Sequence, residues 1–174
     1  MTDAPLLFLD VDGPLIPFGN PAGHRTYPGP WTPGPHENPL LPRVDPALGP
    51  LLRALPCELV WATTWGAEAN ASVAPWLGLP ALPVVEWPDT ADEPPGDGTH
   101  WKLRTLVAWA AGRSFVWVDD EVGPADRVWG RDRLAGAALL YRVDPGRGLR
   151  GDDVEAIGAW LARPCSARRP ATPG

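Results

Sequence analysis

Leu6-Leu7-Phe8-Leu9-Asp10-Val11-Asp12-Gly13 is the stretch on which the fold turns. Four consecutive apolar residues, without alternation, predict a short strand covered on both faces. Such strands belong to parallel sheets flanked by helices. The run then stops at two carboxylates and a glycine. In open α/β sheets ligands bind outside the carboxyl ends of strands, which is where Asp10 and Asp12 stand.

The same pattern repeats outward from that stretch. Further strands are predicted over residues 58–62, 82–86, 115–118 and 137–142, making five in all. Helices fall between them. One starts at Asp45-Pro46, a capping aspartate followed by a first-turn proline, and runs to about Leu55. Pro50 must kink it or shift its start. Others are predicted over 66–77, 100–111, 124–135 and 152–163. In the third of these helices Leu103, Leu106, Val107 and Ala110 share one face. Strands alternating with helices make this an α/β fold with a mainly parallel sheet. No internal repeat is present.

The composition narrows the class. A chain of 174 residues suits one domain with a real core, predicted over residues 1–163, followed by a disordered tail over 164–174. Proline and glycine together number 43, enough to raise the question of disorder, but ten tryptophans argue against it. No apolar run approaches the ~20 residues of a membrane span. The start, MTDAPLLFLD, lacks the basic and apolar regions of a secretory signal, so the cytoplasm is the default location. Cys57 and Cys165 are far apart and fit neither a disulfide framework nor a zinc site. The net charge is −6, with no basic block beyond Arg168-Arg169. That disfavours broad nucleic-acid binding through phosphates and leaves room for a local basic pocket.

Other strand ends bring more chemistry to the same rim. The strand over 58–62 ends in Thr63-Thr64, and the strand over 115–118 in Asp119-Asp120-Glu121. Lys102 lies at the start of the helix that feeds the latter strand, and it is the only lysine; the other fourteen basic residues are arginines. Each piece alone has a plain reading: Asp-x-Asp as a turn, the threonines as a helix cap, Lys102 as a solvated helix residue. The Asp119-Asp120 pair is different, because adjacent carboxylates repel and need a cation.

In combination and order, these residues resemble the haloacid dehalogenase (HAD) superfamily of phosphohydrolases. The matching stretches are Leu-Phe-Leu-Asp10-Val-Asp12-Gly13, Val-Trp-Ala-Thr63, Lys102 and Val-Trp-Val-Asp119-Asp120, spread over residues 6–142. In size the chain looks like the small HAD-domain proteins of high-GC bacteria. The resemblance implies a three-layer Rossmann-like sandwich and an Mg²⁺-dependent phosphohydrolase working through an aspartyl-phosphate. Asp10 would be the nucleophile, and Asp12 the general acid and then base. Thr63, with Thr64 as fallback, would bind a phosphoryl oxygen. Lys102 would offset charge on Asp10 and the phosphate. Asp10, the Asp12 carbonyl and Asp120 would hold the ion, with Asp119 either a direct ligand or one step removed. The substrate would be a phosphorylated small molecule, with no membrane partner and the oligomeric state open. A phosphotransferase or mutase with the same covalent intermediate fits equally; a binding protein that kept the fold and lost turnover is the other alternative, which Pro14 suggests and the full acidic set with the lone lysine weighs against. A response-regulator receiver domain does not, because its lysine follows the last strand.

One departure is Pro14, where the superfamily usually has Thr or Val. It fixes φ and removes an N–H, while the N–H groups of Val11 to Gly13 remain to cradle a phosphate. Half of the 24 prolines lie between Pro14 and Pro56. Residues 14–45 are therefore read as a stiff irregular flap, a minimal cap bordering the phosphate site. His24, His36 and His100 have no metal-ligand spacing, and His24 or His36 could touch substrate. Trp61, Trp76, Trp109, Trp117 and Trp160 read as core, and Trp31 and Trp65 as packing or pocket-lining residues.

Overall fold

The computed structural model describes residues 4–35, 37–89, 95–134 and 137–163. His36, Cys165 and the tail predicted over 164–174 lie outside the described residues. The strands are β1 (Leu6–Leu9), β2 (Glu58–Trp61), β3 (Phe115–Asp119) and β4 (Ala138–Arg142). All pairings are parallel, in the order β2-β1-β3-β4. The chain moves from β1 to one side and later crosses to the other, so the order reverses at the carboxyl ends of β1 and β3. That is the switch point at which α/β sheets bind ligands.

Period-two alternation divides the strands between two cores. Leu7 and Leu9 pack with Val116 and Val118 against α1 (Leu48–Arg53) and α5 (Gly151–Leu161). Leu6 and Phe8 pack with Phe115 and Trp117 under α3 (Lys102–Ala110), with Trp129 of α4 (Pro124–Arg133) against the same cluster. Helices thus cover both faces, as the unbroken apolar strands require.

The predicted five-stranded sheet is corrected to four strands. Residues 82–86 make only an isolated bridge, Val84 to Trp61. Pro80 and Pro83 are the reason, since proline has no N–H to extend a ladder. Trp61 N–H donates to the Pro83 carbonyl, Val85 N–H donates to Trp61, and the pairing goes no further.

Two helices also differ from expectation. α1 begins at Leu48 rather than Asp45. Asp45 instead closes a turn by accepting from Ala47 N–H at 2.9 Å. Pro50 then falls in the first turn, where an N–H would have no helical acceptor, so it shifts the start without a kink. The segment predicted as a helix over 66–77 is a π-turn, Ala69–Val73, leading into the short α2 (Ala74–Trp76). Asn70 fixes it by accepting from Trp61 Nε1 at 2.9 Å and exchanging two bonds with the Leu82 backbone.

Among its described residues the flap has no regular structure until a 3-10 turn, Leu41–Arg43. It is held at both ends. Ile16 brackets Asp12 in a bridge, and Arg43 donates to the Pro17 carbonyl at 2.9 Å. In its middle Trp31 packs edge-to-face on Trp76, with ring centroids 5.2 Å apart.

Candidate active site

β1 and β3 pair in register, Phe8 with Trp117 and Leu9 with Val118. One further step sets Asp10 beside Asp119, and Asp10 N–H donates to the Val118 carbonyl at 3.1 Å. Both side chains take the face shared by Phe8 and Trp117, the face covered by α3. Two carboxylates side by side in an interior repel strongly. Lys102, the first residue of α3, answers them from above. Its Nζ lies 2.9 Å from Asp10 Oδ2 and 2.8 Å from Asp119 Oδ2, and all three residues are buried.

The start of α3 is itself anchored. Asp126, at the head of α4, accepts from His100 N–H at 2.6 Å and from Gly123 N–H at 2.7 Å. His100 Nδ1 accepts from Lys102 N–H at 3.2 Å, which leaves Nε2 to donate to Glu121 at 3.0 Å. Trp87 and Trp101 meet edge-to-face at 4.9 Å, with Lys102 Nζ 6.0 and 5.7 Å from their ring centroids. This aromatic wall adds cation–π attraction while keeping water off the ammonium.

Burial pushes the Asp10 carboxyl up to about 7, against the pull of Lys102. Burial and then the Asp119 charge push Asp120 up to about 6. Burial works against the Lys102 ammonium too, but the charges of Asp10 and Asp119 outweigh it and hold the group above its ordinary value. One ammonium is thus set against three clustered carboxylates.

Oxygens of Asp10, Asp119 and Asp120 come within 4.8 Å of one another. A hard divalent cation with oxygen ligands, such as Mg²⁺, suits that donor set. The oxygens are not equally open. Asp119 Oδ2 already accepts from Lys102 and, at 3.2 Å, from Trp117 Nε1; its Oδ1 accepts from Glu121 N–H at 2.9 Å. Asp120 is only partly buried and faces Gly13. Gly13 has φ +85°, and a Cβ there would lie 2.4 Å from Asp120 Oδ1.

The turn after β1 places Asp12 differently. Gly13 N–H and Ile16 N–H engage the Ile16 and Val11 carbonyls, which turns the backbone of Asp12 away from Ile16. Among the described residues neither its N–H nor its carbonyl has a backbone partner. Val11 N–H donates to Asp10 Oδ1 at 2.8 Å. Of the three N–H groups expected to cradle a phosphate, only that of Asp12 is therefore open. The Asp12 carboxylate is exposed, apart from the three-carboxylate cluster, and accepts from Trp65 Nε1 at 2.9 Å.

Thr63 is fully buried beside this turn, and Thr64 is exposed. The Thr63 hydroxyl accepts from Trp65 N–H at 3.3 Å, and its carbonyl accepts from Trp87 Nε1 at 3.0 Å. The sequence pattern does not place Trp87, Trp101 or His100 at the rim, and it reads Trp65 as packing or pocket-lining. A tryptophan's apolar bulk gives no sequence sign of where its N–H will point.

No curated protein and no solved structure matches the chain significantly. A family model, described as the HAD domain in Swiss Army Knife RNA repair proteins, matches residues 6–154. That span takes in every strand, the flap and each of the rim residues above, and so the chain belongs to this family of HAD domains.

Proposed function

We propose that the chain is an Mg²⁺-dependent phosphohydrolase that passes through an aspartyl-phosphate on Asp10. The observation that carries this reading is the Lys102 ammonium bridging Asp10 and Asp119 at 2.9 and 2.8 Å, with Asp120 completing a three-carboxylate cluster. A structural ion pair needs no third carboxylate. Phosphoryl transfer needs a nucleophile and compensation for charge on the phosphoryl oxygens.

Asp10 and Asp120 would hold the ion directly, together with the open carbonyl of Asp12. Asp119, whose oxygens are taken by Lys102, Trp117 and Glu121, would steady Lys102. When bound, Mg²⁺ neutralises charge so that an anionic carboxylate can approach an anionic phosphate. The remaining work falls to side chains. An Asp10 oxygen attacks phosphorus as the bond to the leaving oxygen breaks, and Asp12 gives that oxygen its proton. Asp12 then takes a proton from the water that attacks the phosphorus of the intermediate, which frees Asp10 and releases phosphate. The Asp12 N–H, Lys102 and Thr63 would serve as donors to the phosphoryl oxygens.

The substrate class we propose is a phosphate monoester. The family's description speaks of RNA repair, so phosphate-terminated RNA belongs beside small phosphorylated metabolites. We place the protein in the cytoplasm; among the described residues the Cys57 thiol has no disulfide partner, which suits a reducing setting. The test is Mg²⁺-dependent phosphate release from p-nitrophenyl phosphate and a panel of metabolites and RNA ends. Asp10→Asn is expected to abolish turnover, and unchanged activity in that variant would overturn the reading.

A further inference from the structure

Given the phosphohydrolase reading of the rim, we infer that the cleft between the flap and the segment joining β4 to α5 is a second phosphate-binding site. It holds phosphate groups of the substrate other than the one that reacts. The cleft has a volume of about 320 Å³, within the range of small-ligand sites. Arg25, Arg43, Arg147 and Arg150 line it. In a chain of net charge −6, four of fourteen arginines converge on one depression.

Three of the four are not spent on carboxylates. Arg147 is held by Asp152 and Asp153 at 3.0 and 2.9 Å. The Arg43 guanidinium donates to the Pro17 carbonyl, and Arg25 lies over the Tyr27 ring, 5.0 Å from its centroid. Among the described residues neither these two nor Arg150 has an ion-pair partner. Asp45 also lines the cleft, and with Asp152 and Asp153 on Arg147 three carboxylates face four guanidinium groups, which leaves the balance positive. Guanidinium groups present a planar fork that matches phosphate oxygens in pairs.

The position fits a substrate that spans both sites. Pro14 lines the cleft and stands two residues after Asp12, so the nearest wall begins within about 8 Å of the Asp12 Cα. α1 lies on the crossover from β1 to β2 and α5 follows the carboxyl end of β4, so both start from the rim that carries Asp10, and Leu149 N–H donates to the Pro14 carbonyl at 2.7 Å. Their first residues, Leu48 and Gly151, line the cleft. Lys102 reaches the rim from the opposite face of the sheet. The rim itself is acidic, and a substrate with several phosphates needs positive charge close by. The cleft supplies it.

Two sources offer this chemistry: the phosphodiesters next to a terminal phosphate of RNA, and the second phosphate of a small bisphosphate. The test measures kcat/KM on p-nitrophenyl phosphate, a sugar bisphosphate and a short RNA with a terminal phosphate, for the native chain and for Arg25→Ala/Arg150→Ala. The variant is expected to lose 10–100-fold more on a multiply phosphorylated substrate than on p-nitrophenyl phosphate. Loss on RNA points to the phosphodiester source, and loss on the bisphosphate to the small molecule. Equal effects on all three substrates would overturn the site. A parallel arm measures anisotropy of the same RNA, labelled, and competition by the bisphosphate, in an Asp10→Asn background. Weaker binding and a shallower salt dependence after arginine removal support the cleft even if turnover is never seen, in which case only the phosphohydrolase reading fails. Turnover sensitive to Asp10→Asn, with binding indifferent to the arginines, would leave that reading standing and remove the cleft.

Discussion

Trp65 Nε1 donates to Asp12 Oδ2 at 2.9 Å, a bond across 53 residues that ties the turn after β2 to the turn after β1. Asp12 is otherwise exposed, so this single N–H limits where its carboxylate can swing. A hydrogen bond to a charged group contributes about 1.5–3 kcal/mol. Trp65→Phe keeps an aromatic ring and removes the donor. It is expected to lower kcat roughly 10-fold or more with little change in KM, because the carboxylate proposed as proton donor would be displaced while substrate contacts remain. Steady-state kinetics on p-nitrophenyl phosphate checks this. A rise in KM at constant kcat would show that Trp65 binds substrate instead.

Lys102 allows a sharper test. Lys102→Met preserves the aliphatic stem and leaves Asp10 and Asp119 buried without their shared cation. Removing one partner of a buried pair typically costs about 3–5 kcal/mol. The metal-free variant is expected to lose that order of stability in urea unfolding. At pH 9, where the raised Asp10 carboxyl would be ionised, Lys102→Met/Asp10→Asn should recover part of the loss, since one of the two stranded charges is gone. If the double variant is no more stable than the single, repulsion between the carboxylates is not what Lys102 relieves.

The legible parts of this site were those written in consecutive residues. Apolar runs that stop at Asp10 and at Asp119 mark strand ends directly, and period two then sets their side chains on one face. Lys102 was legible because it is the sole lysine. The strand expected over 82–86 failed because apolar content outvoted Pro83, which has no N–H to give a ladder. The partner of Trp65 was not legible, because an indole's hydrogen bond depends on tertiary placement. The arginine cleft was hidden for the same reason. Arg25 and Arg150 are 125 positions apart, and each alone reads as a solvated surface cation.

The pH dependence of stability follows from the raised carboxyls. In the unfolded chain Asp10 and Asp120 lose their protons near 3.8; folded, they do so near 7 and 6. Between those values the folded protein holds protons that the unfolded chain has released. Stability in the presence of a chelator should therefore fall as pH rises from about 4 to 7. Thermal melts across that range check it, and Asp10→Asn should flatten the decline. Mg²⁺ at the proposed site would need these carboxylates ionised, so it should raise the melting temperature more at pH 8 than at pH 5. A chelated protein whose stability climbs steadily from pH 4 to 7 would contradict the raised values.

Gly13 gives a test of how Asp120 is placed. Its φ of +85° lies in the region that side chains rarely adopt, and a Cβ would meet Asp120 Oδ1 at 2.4 Å and its Cγ at 2.5 Å. Gly13→Ala must therefore displace Asp120 as well as strain the turn. Strain of this kind costs about 1–3 kcal/mol. The functional effect should be larger than the stability loss, since Asp120 is the least encumbered carboxylate of the cluster. Mg²⁺ affinity by calorimetry is expected to drop at least 10-fold, while the metal-free variant melts cooperatively a few degrees lower. Asp120→Asn provides the reference. If Gly13→Ala weakens Mg²⁺ as much as Asp120→Asn does, the glycine is there to let Asp120 approach. If affinity is unchanged while stability falls, Gly13 serves only the turn.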